Sequence, residues 1–333
     1  MTLEIDSSRT YGLKPAMQPT FDMLVAGEIN PDLILASPHL EPRFGQHETL
    51  VEKATLTIGS SAVIFACGAA RLGLNTTFIG MVGADLFGDF MLQAMIGRGI
   101  DTSNVITNAD RQTGFSVILA RQADRAILTY VGTMDALRAE DLSDELLQQA
   151  RHLHIASYFL QTALRPGLPA LLQRARTLGL TISLDTNWDP AETWQGVDRL
   201  LELIDVFLPN QNEALAITGE TNLDTALWKL NQVCPVVAVK LGEQGAIARQ
   251  GDKLVHLPAL PVQVADTVGA GDSFDAGFLY GFLHSWGLKR SLALAVACGS
   301  LSTQQHGGTD AQPTLEEAQL AIQQMLNSAG LLE

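Results

Sequence analysis

The chain has 333 residues, 47% of them hydrophobic and 17% charged, enough for a well-buried core in one large domain with an insertion or in two modest domains. No run of 18 or more apolar residues is present, and the opening MTLEIDSSRTYGLKPAMQPTF lacks the basic-then-apolar order of a secretory signal, so neither a spanning helix nor a leader is expected. A net charge of −15 argues against a nucleic-acid partner, and three scattered cysteines (Cys67, Cys234, Cys298) without CxxC spacing argue against a disulfide framework or thiolate zinc site and for the reducing cytosol.

Taken in chain order, the first predicted strand is MLVAG (23–27). Residues 35–57 carry Pro38 and Pro42 and then LVEKATLTI, which alternates like an exposed strand. Residues 106–131 hold two strand-like runs around a polar turn at Gln122 to Arg125. These pieces predict a small sheet outside the core, either a lid over a cleft or edge hairpins without a role. From residue 152 onward LHIAS (153–157), TISLD (181–185), DVFLP (205–209) and VVAVK (236–240) read as short buried strands. Helical spacing falls between them at 166–178, 192–203 and 222–231, and later at 273–285, 288–303 and 314–327. Strand–helix alternation of this kind predicts a three-layer α/β core with a mostly parallel sheet, spanning 20–34, 58–105 and 132–330, with 35–57 and 106–131 as the lid.

The segment Asp266 to Asp272, DTVGAGD, runs into a helix expected to begin just after Asp272, with Phe274, Phe278 and Phe282 four apart. Gly277 and Gly281 would admit another element at close range. A glycine-rich loop entering a helix leaves N–H donors free at the positive end of the helix dipole, a natural seat for a phosphoryl group. A carboxylate beside that seat can take a proton from an attacking hydroxyl. The same residues also fit a plain turn with an Asp N-cap.

DTVGAGDSFDAGF resembles the C-terminal motif of the ribokinase-like (PfkB-type) carbohydrate kinases. ACGAARLGLNTTFIGMVGADLFGDFMLQAMIGRGID (66–101), LDTNWDP (184–190), PNQNE with Asn210 and Glu213, and KLGEQG with Lys240, Gly242 and Gly245 resemble the same family in the same order. The resemblance spans about residue 22 to residue 310. It implies a kinase using ATP and Mg2+ on a small sugar-like acceptor, with Asp272 as base and the backbone of Gly269, Ala270 and Gly271 as anion hole. It further implies that Asn210 and Glu213 position magnesium and the triphosphate, Glu213 through water. Lys240, Gly242 and Gly245 would line the nucleotide, and Asp266, near Thr303 and Gly308, would be a candidate site for a monovalent cation such as K+. Asp32 would grip the acceptor hydroxyls. Each of these has a bland counterpart: Glu213 as a first-turn acid, Lys240 reaching to solvent, Asp32 as a solvated turn residue.

The chain departs from relatives at the acceptor end. The family's Gly-Gly pair is Gly59-Ser60 here, and its following Asn is Ile64, which cannot hydrogen-bond. Ser60 and Ser61 would take over recognition, or the acceptor presents an apolar edge. Arg111, Arg121 and Arg125 could meet an anionic acceptor or simply face solvent. No GxxxxGK[ST] is present, GEIN after the first strand is not GxGxxG, and His152 and His154 read as ordinary polar residues. A nucleoside kinase and a non-catalytic sugar- or nucleotide-binding regulator stay open as alternatives, as does a homodimer formed through the lid.

Overall fold

A computed structural model describes residues 19–121 and 124–328. Residues 1–18 of the opening segment read for a leader, Gln122 and Ala123 of the expected turn, and residues 329–330 of the expected core lie outside them.

In chain order the elements are β1 (Met23–Ala26), β2 (Pro31–Ala36), β3 (Lys53–Ile58), α1 (Ser61–Arg71), β4 (Thr76–Ile79), β5 (Met81–Gly83) and α2 (Leu86–Gly97). Then come β6 (Ile106–Asn108), β7 (Phe115–Arg121), β8 (Asp124–Tyr130), α3 (Asp144–Leu147), β9 (His152–Ile155), α4 (Leu168–Thr177) and β10 (Thr181–Leu184). The remainder is α5 (Asp198–Leu201), β11 (Val206–Phe207), α6 (Gln211–Thr218), α7 (Leu223–Val233), β12 (Val236–Lys240), β13 (Ala246–Gln250), β14 (Lys253–Leu257), α8 (Ala270–Leu283), α9 (Leu288–Ser302) and α10 (Leu315–Ser328).

The main sheet runs β14-β13-β12-β11-β10-β9-β1-β4, parallel from β12 to β4 and antiparallel at β13 and β14. Its parallel strands are buried on both faces because helices cover both. Along β1, Met23 and Val25 enter the cluster shared with α1, α8 and α9, while Leu24 and Ala26 enter the cluster shared with α3, α4 and α5. That division makes three layers. The close approach allowed by Gly277 and Gly281 is to α9: a Cβ on Gly277 would stand 2.9 Å from Ala295 Cα, and one on Gly281 would stand 2.8 Å from Ser291 Cα.

A separate sheet has the order β3-β2-β7-β8. β2 pairs antiparallel with β3 and parallel with β7, so the two inserted segments join through neighbouring strands. This sheet begins at Pro31 rather than 35, which puts Asp32 on it. Residues 106–108 pair with Met81–Gly83 instead. Two helix expectations need correction. Over 192–203 only Asp198–Leu201 is helical, because Asp189 accepts N–H bonds from Ala191, Thr193 and Trp194 and fastens a turn with Glu192 and Trp194 at positive φ. α8 starts at Ala270, with Gly269 as its N-cap at φ 72°, so Asp272 is in the first turn and not the cap.

Candidate active site

The parallel strands deliver their carboxyl ends to one edge of the sheet, the usual place for a ligand in an open α/β layer. Glu28 follows β1, Asp185 follows β10, Asn210 follows β11 and Lys240 ends β12, all near the start of α8.

Gly269 holds a left-handed conformation that a side chain would strain, and a Cβ there would stand 2.8 Å from both Gly308 O and Ile64 Cγ2. The turn leaves the Gly271 and Asp272 N–H groups in the first turn of α8 without intrahelical acceptors, while the Ala270 N–H is taken by Thr267 O at 3.3 Å. The Asp272 carboxylate accepts a hydrogen bond from the Ser61 hydroxyl, at the first turn of α1. Burial pushes Asp272 up to about 7, with Asp185 and Glu28 adding and Ser61 and Lys240 opposing. A carboxylate in that range is matched to accept a proton near neutral pH.

The bland expectation for Lys240 needs correction, since its side chain is tied within the chain and does not reach to solvent. Its Nζ donates to Asp185 Oδ2 at 2.9 Å and to Asp275 Oδ2 and Oδ1 at 3.0 and 3.2 Å, all three residues being buried or nearly so. It passes beneath the first turn of α8: a Cβ on Gly271 would be 3.7 Å from Nζ. Burial would raise Asp185, but Lys240 holds it down at about 2; burial would strip the Lys240 proton, but the Asp185 and Asp275 carboxylates hold it firmly.

Asn210 and Glu213 form a capping box at the start of α6. Glu213 Oε2 accepts from Asn210 N at 2.8 Å and Oε1 from Asn210 Nδ2 at 2.6 Å, and burial together with Asp185 raises Glu213 to about 7. Gly242 (φ 61°) and Gly245 (φ 89°) shape the tight turn after β12. Asp266 accepts from Val268 N at 3.1 Å and Gly307 N at 3.3 Å, tying the approach to α8 to the loop at 303–308.

At the acceptor end, burial lifts Asp32 to about 6 against the pull of Arg125, and Asn30 Nδ2 lies 3.3 Å from its Oδ1. Gly59 leaves room for this carboxylate, since a Cβ there would collide with it and with Asn30. Ser60 is fully engaged: its Oγ donates to Glu28 O at 2.6 Å and accepts from Val63 N at 3.0 Å as the cap of α1. Ser61, not Ser60, faces the site. Ile64 is buried and packs under Gly269 and Gly308, which places it behind the turn that enters α8. Arg111 pairs with Asp135 and bonds Gly132 O, and Arg121 pairs with Glu41 and Asp124, so neither points free into the cleft. His152 and His154 are buried and bonded to Thr181 and Ser183, and burial lowers both to about 3.

Sequence reasoning passed over Glu28, Asp185 and Asp275. Glu28 is buried, accepts from Ser157 Oγ at 2.9 Å, and leaves its Oε2 without a hydrogen-bond partner. Asp185 had a signal, an acid ending a buried strand. So had Asp275, one helical turn from Asp272 in a segment otherwise apolar.

A separate small sheet beside the parallel one, a glycine turn entering α8 and a carboxylate raised toward neutrality suit a phosphotransferase acting on an alcohol group. Residues 21–315 match the pfkB family carbohydrate kinases, and the chain belongs to that family. It is 30% identical over 298 residues to a 5-dehydro-2-deoxygluconokinase of Geobacillus thermodenitrificans, covering 83% of this chain and 88% of that protein. It is 32% identical over 293 residues to a 2-dehydro-3-deoxygluconokinase of Bacillus subtilis, covering 82% and 88%. A candidate ribokinase II from E. coli, solved with ATP and Mg2+, superposes with a TM-score of 0.81 at 22% identity over 91% of this chain and 99% of that one. The protein is thus an ATP-using carbohydrate kinase with a small-molecule sugar substrate. Among the described residues no helix is long and apolar enough to cross a membrane.

Proposed function

We propose that the chain transfers the γ-phosphoryl of ATP to a hydroxyl of a neutral sugar, with Asp272 as the base. The observation that carries this is the juxtaposition of Asp272 with the uncapped first turn of α8. In the step, the acceptor oxygen bonds to the γ-phosphorus, its proton passes to Asp272, and the bond to the β–γ bridging oxygen breaks to leave ADP. The Gly271 N–H stabilises the charge on the transferring group, joined by the Ala270 N–H once it leaves Thr267 O, and the lid excludes water that would otherwise hydrolyse ATP. Magnesium would neutralise the triphosphate. Both Glu213 oxygens are already engaged by Asn210, so Glu213 fits a role through water, the way magnesium commonly binds.

A neutral acceptor is favoured because Glu28, Asp32 and Asp272 crowd that end, while Lys240 and Arg111 are held by carboxylates. A sugar acid, the acceptor in the names of the two gluconokinase relatives, is a second reading supported by the Arg125 charge acting on Asp32. Asp266 remains a candidate site for K+ that would stiffen the entry to α8. A second copy is the fitting cover for β8, where Ile127, Leu128 and Tyr130 are exposed. The three buried free cysteines suit a reducing cytosol.

The test is ATP-to-ADP turnover with neutral sugars, sugar acids and nucleosides, alongside Asp272→Asn. Turnover with neutral sugars that collapses in the variant supports the reading. Turnover with sugar acids alone, lost in Arg125→Ala, moves the assignment to the second. Nucleoside-dependent turnover, or ATP binding without turnover, would overturn both.

A further inference from the structure

Two carboxylates and one ammonium meet where α8 begins. Lys240 Nζ sits 2.9 Å from Asp185 and 3.0 Å from Asp275, and the two carboxyl groups also hydrogen-bond to each other. Two carboxylates can share a hydrogen bond only if one keeps a proton. Burial pushes Asp275 well above the usual range, against the pull of Lys240, whereas Asp185 stays ionised, so the proton belongs to Asp275. The trio is then neutral, as burial demands.

Its position is what makes the trio functional. Asp275 lies one turn from Asp272 on α8, and the Lys240 side chain runs under Gly271. The groups facing Asp272 are Glu28 from the loop after β1, Ser61 from α1, Asp185 from the loop after β10, Lys240 from β12 and Asp275 from its own helix, with Glu213 on α6 acting on Lys240. Lys240 is the cation among them.

We infer that Asp185, Lys240 and Asp275 form a buried clamp, carrying one ammonium and one shared carboxyl proton, that sets the basicity of Asp272. Lys240 is thereby a positioning residue of the transfer and not a nucleotide contact. This rests on Asp272 being the base, so the test reads Asp272 directly and needs no acceptor.

Carbon-13 NMR of the full-length protein labelled at the aspartate carboxyl carbons follows each titration, and Asp272→Asn assigns the resonance. Lys240→Met leaves the clamp one negative charge and raises the Asp272 midpoint by about one unit, about tenfold in proton affinity. Asp275→Asn replaces a protonated acid by an amide and leaves the midpoint in place. Asp185→Asn combined with Asp275→Asn leaves one positive charge and lowers it by about one unit. The neutral pair Lys240→Met with Asp185→Asn restores the parent value, and stands in should Lys240→Met alone fail to fold. Midpoints that stay within about 0.3 unit of the parent in both charge-changing variants, or that move in the same direction, overturn the clamp. A merely structural trio would lower the melting temperature without opposite shifts. Full turnover by Asp272→Asn would instead remove the base assignment while leaving the titration result intact.

Discussion

At the α8 end of the cleft Asp272, Lys240, Asn210 and Glu213 are all fastened by partners within the chain. At the lid end Asp32 is held by the long Asn30 contact, and β8 is exposed along its whole length. In the proposed reading the phosphoryl end is preorganised, its charges fixed before ligand arrives, so little reorganisation would be needed in the transition state. The acceptor end would then be finished by the ligand and by closure of the small sheet. On that proposal, chemistry common to a family is built into packed helices and strand ends, whereas the choice of acceptor would be left to the exposed small sheet.

The sharpest break in that comparison is Asp272→Asn. With Asp272 as the proposed base, its loss should lower turnover by about 10²- to 10⁴-fold. Stability should move the other way. Asp272 is raised from 3.8 to about 7, so between these values the unfolded chain ionises while the folded one keeps its proton, and folding loses stability as pH rises. The Asn variant lacks this penalty. Its melting temperature should exceed the parent's by a margin that grows from pH 4 to pH 7 and then levels off. A margin that shrinks over that range would show the carboxylate to be stabilised where it sits.

Gly269→Ala tests the preorganised turn next. The left-handed conformation and the close Gly308 O and Ile64 contacts predict a loss of about 1–3 kcal/mol in urea unfolding, with turnover falling alongside. Unchanged stability and turnover would mean that the turn adapts and that the anion hole is not rigid. Ile64→Val, one methyl removed behind the same turn, predicts a smaller loss of about 0.5–1.5 kcal/mol and an acceptor profile unchanged from the parent. A changed profile would return Ile64 to the acceptor wall.

The pattern of legibility follows the same division. The strand ends and the DTVGAGD turn could be read because parallel strands leave apolar runs and anion turns leave glycines. Asp32 and Asp272 were readable as acids beside such turns. What could not be read was pairing across long separations: Ser61 with Asp272 is 211 residues apart and Lys240 with Asp185 is 55. Lys240 looked like a strand-end lysine from either side, and only the fold supplies its two carboxylates. The helix expected over 192–203 failed for a local reason, since Asp189 captures three N–H groups that a helix would have used.

The smallest effect is expected at the lid, and it bears on the idea that the acceptor end is completed on binding. Arg125 lies on exposed β8, yet its charge opposes the burial that lifts Asp32 to about 6. Removing it in Arg125→Ala should raise the Asp32 midpoint and leave folding stability within about 0.5 kcal/mol of the parent, as for other exposed charges. With a neutral sugar, KM should change by no more than about threefold, because Asp32 is an acceptor of hydroxyl protons in either case. With a sugar acid the guanidinium would lose a charge-assisted bond, and KM should rise by about tenfold or more. The ratio of the two effects, measured in one assay at pH 8 where Asp32 is ionised in both proteins, therefore separates a lid that merely covers the acceptor from one that reads its charge.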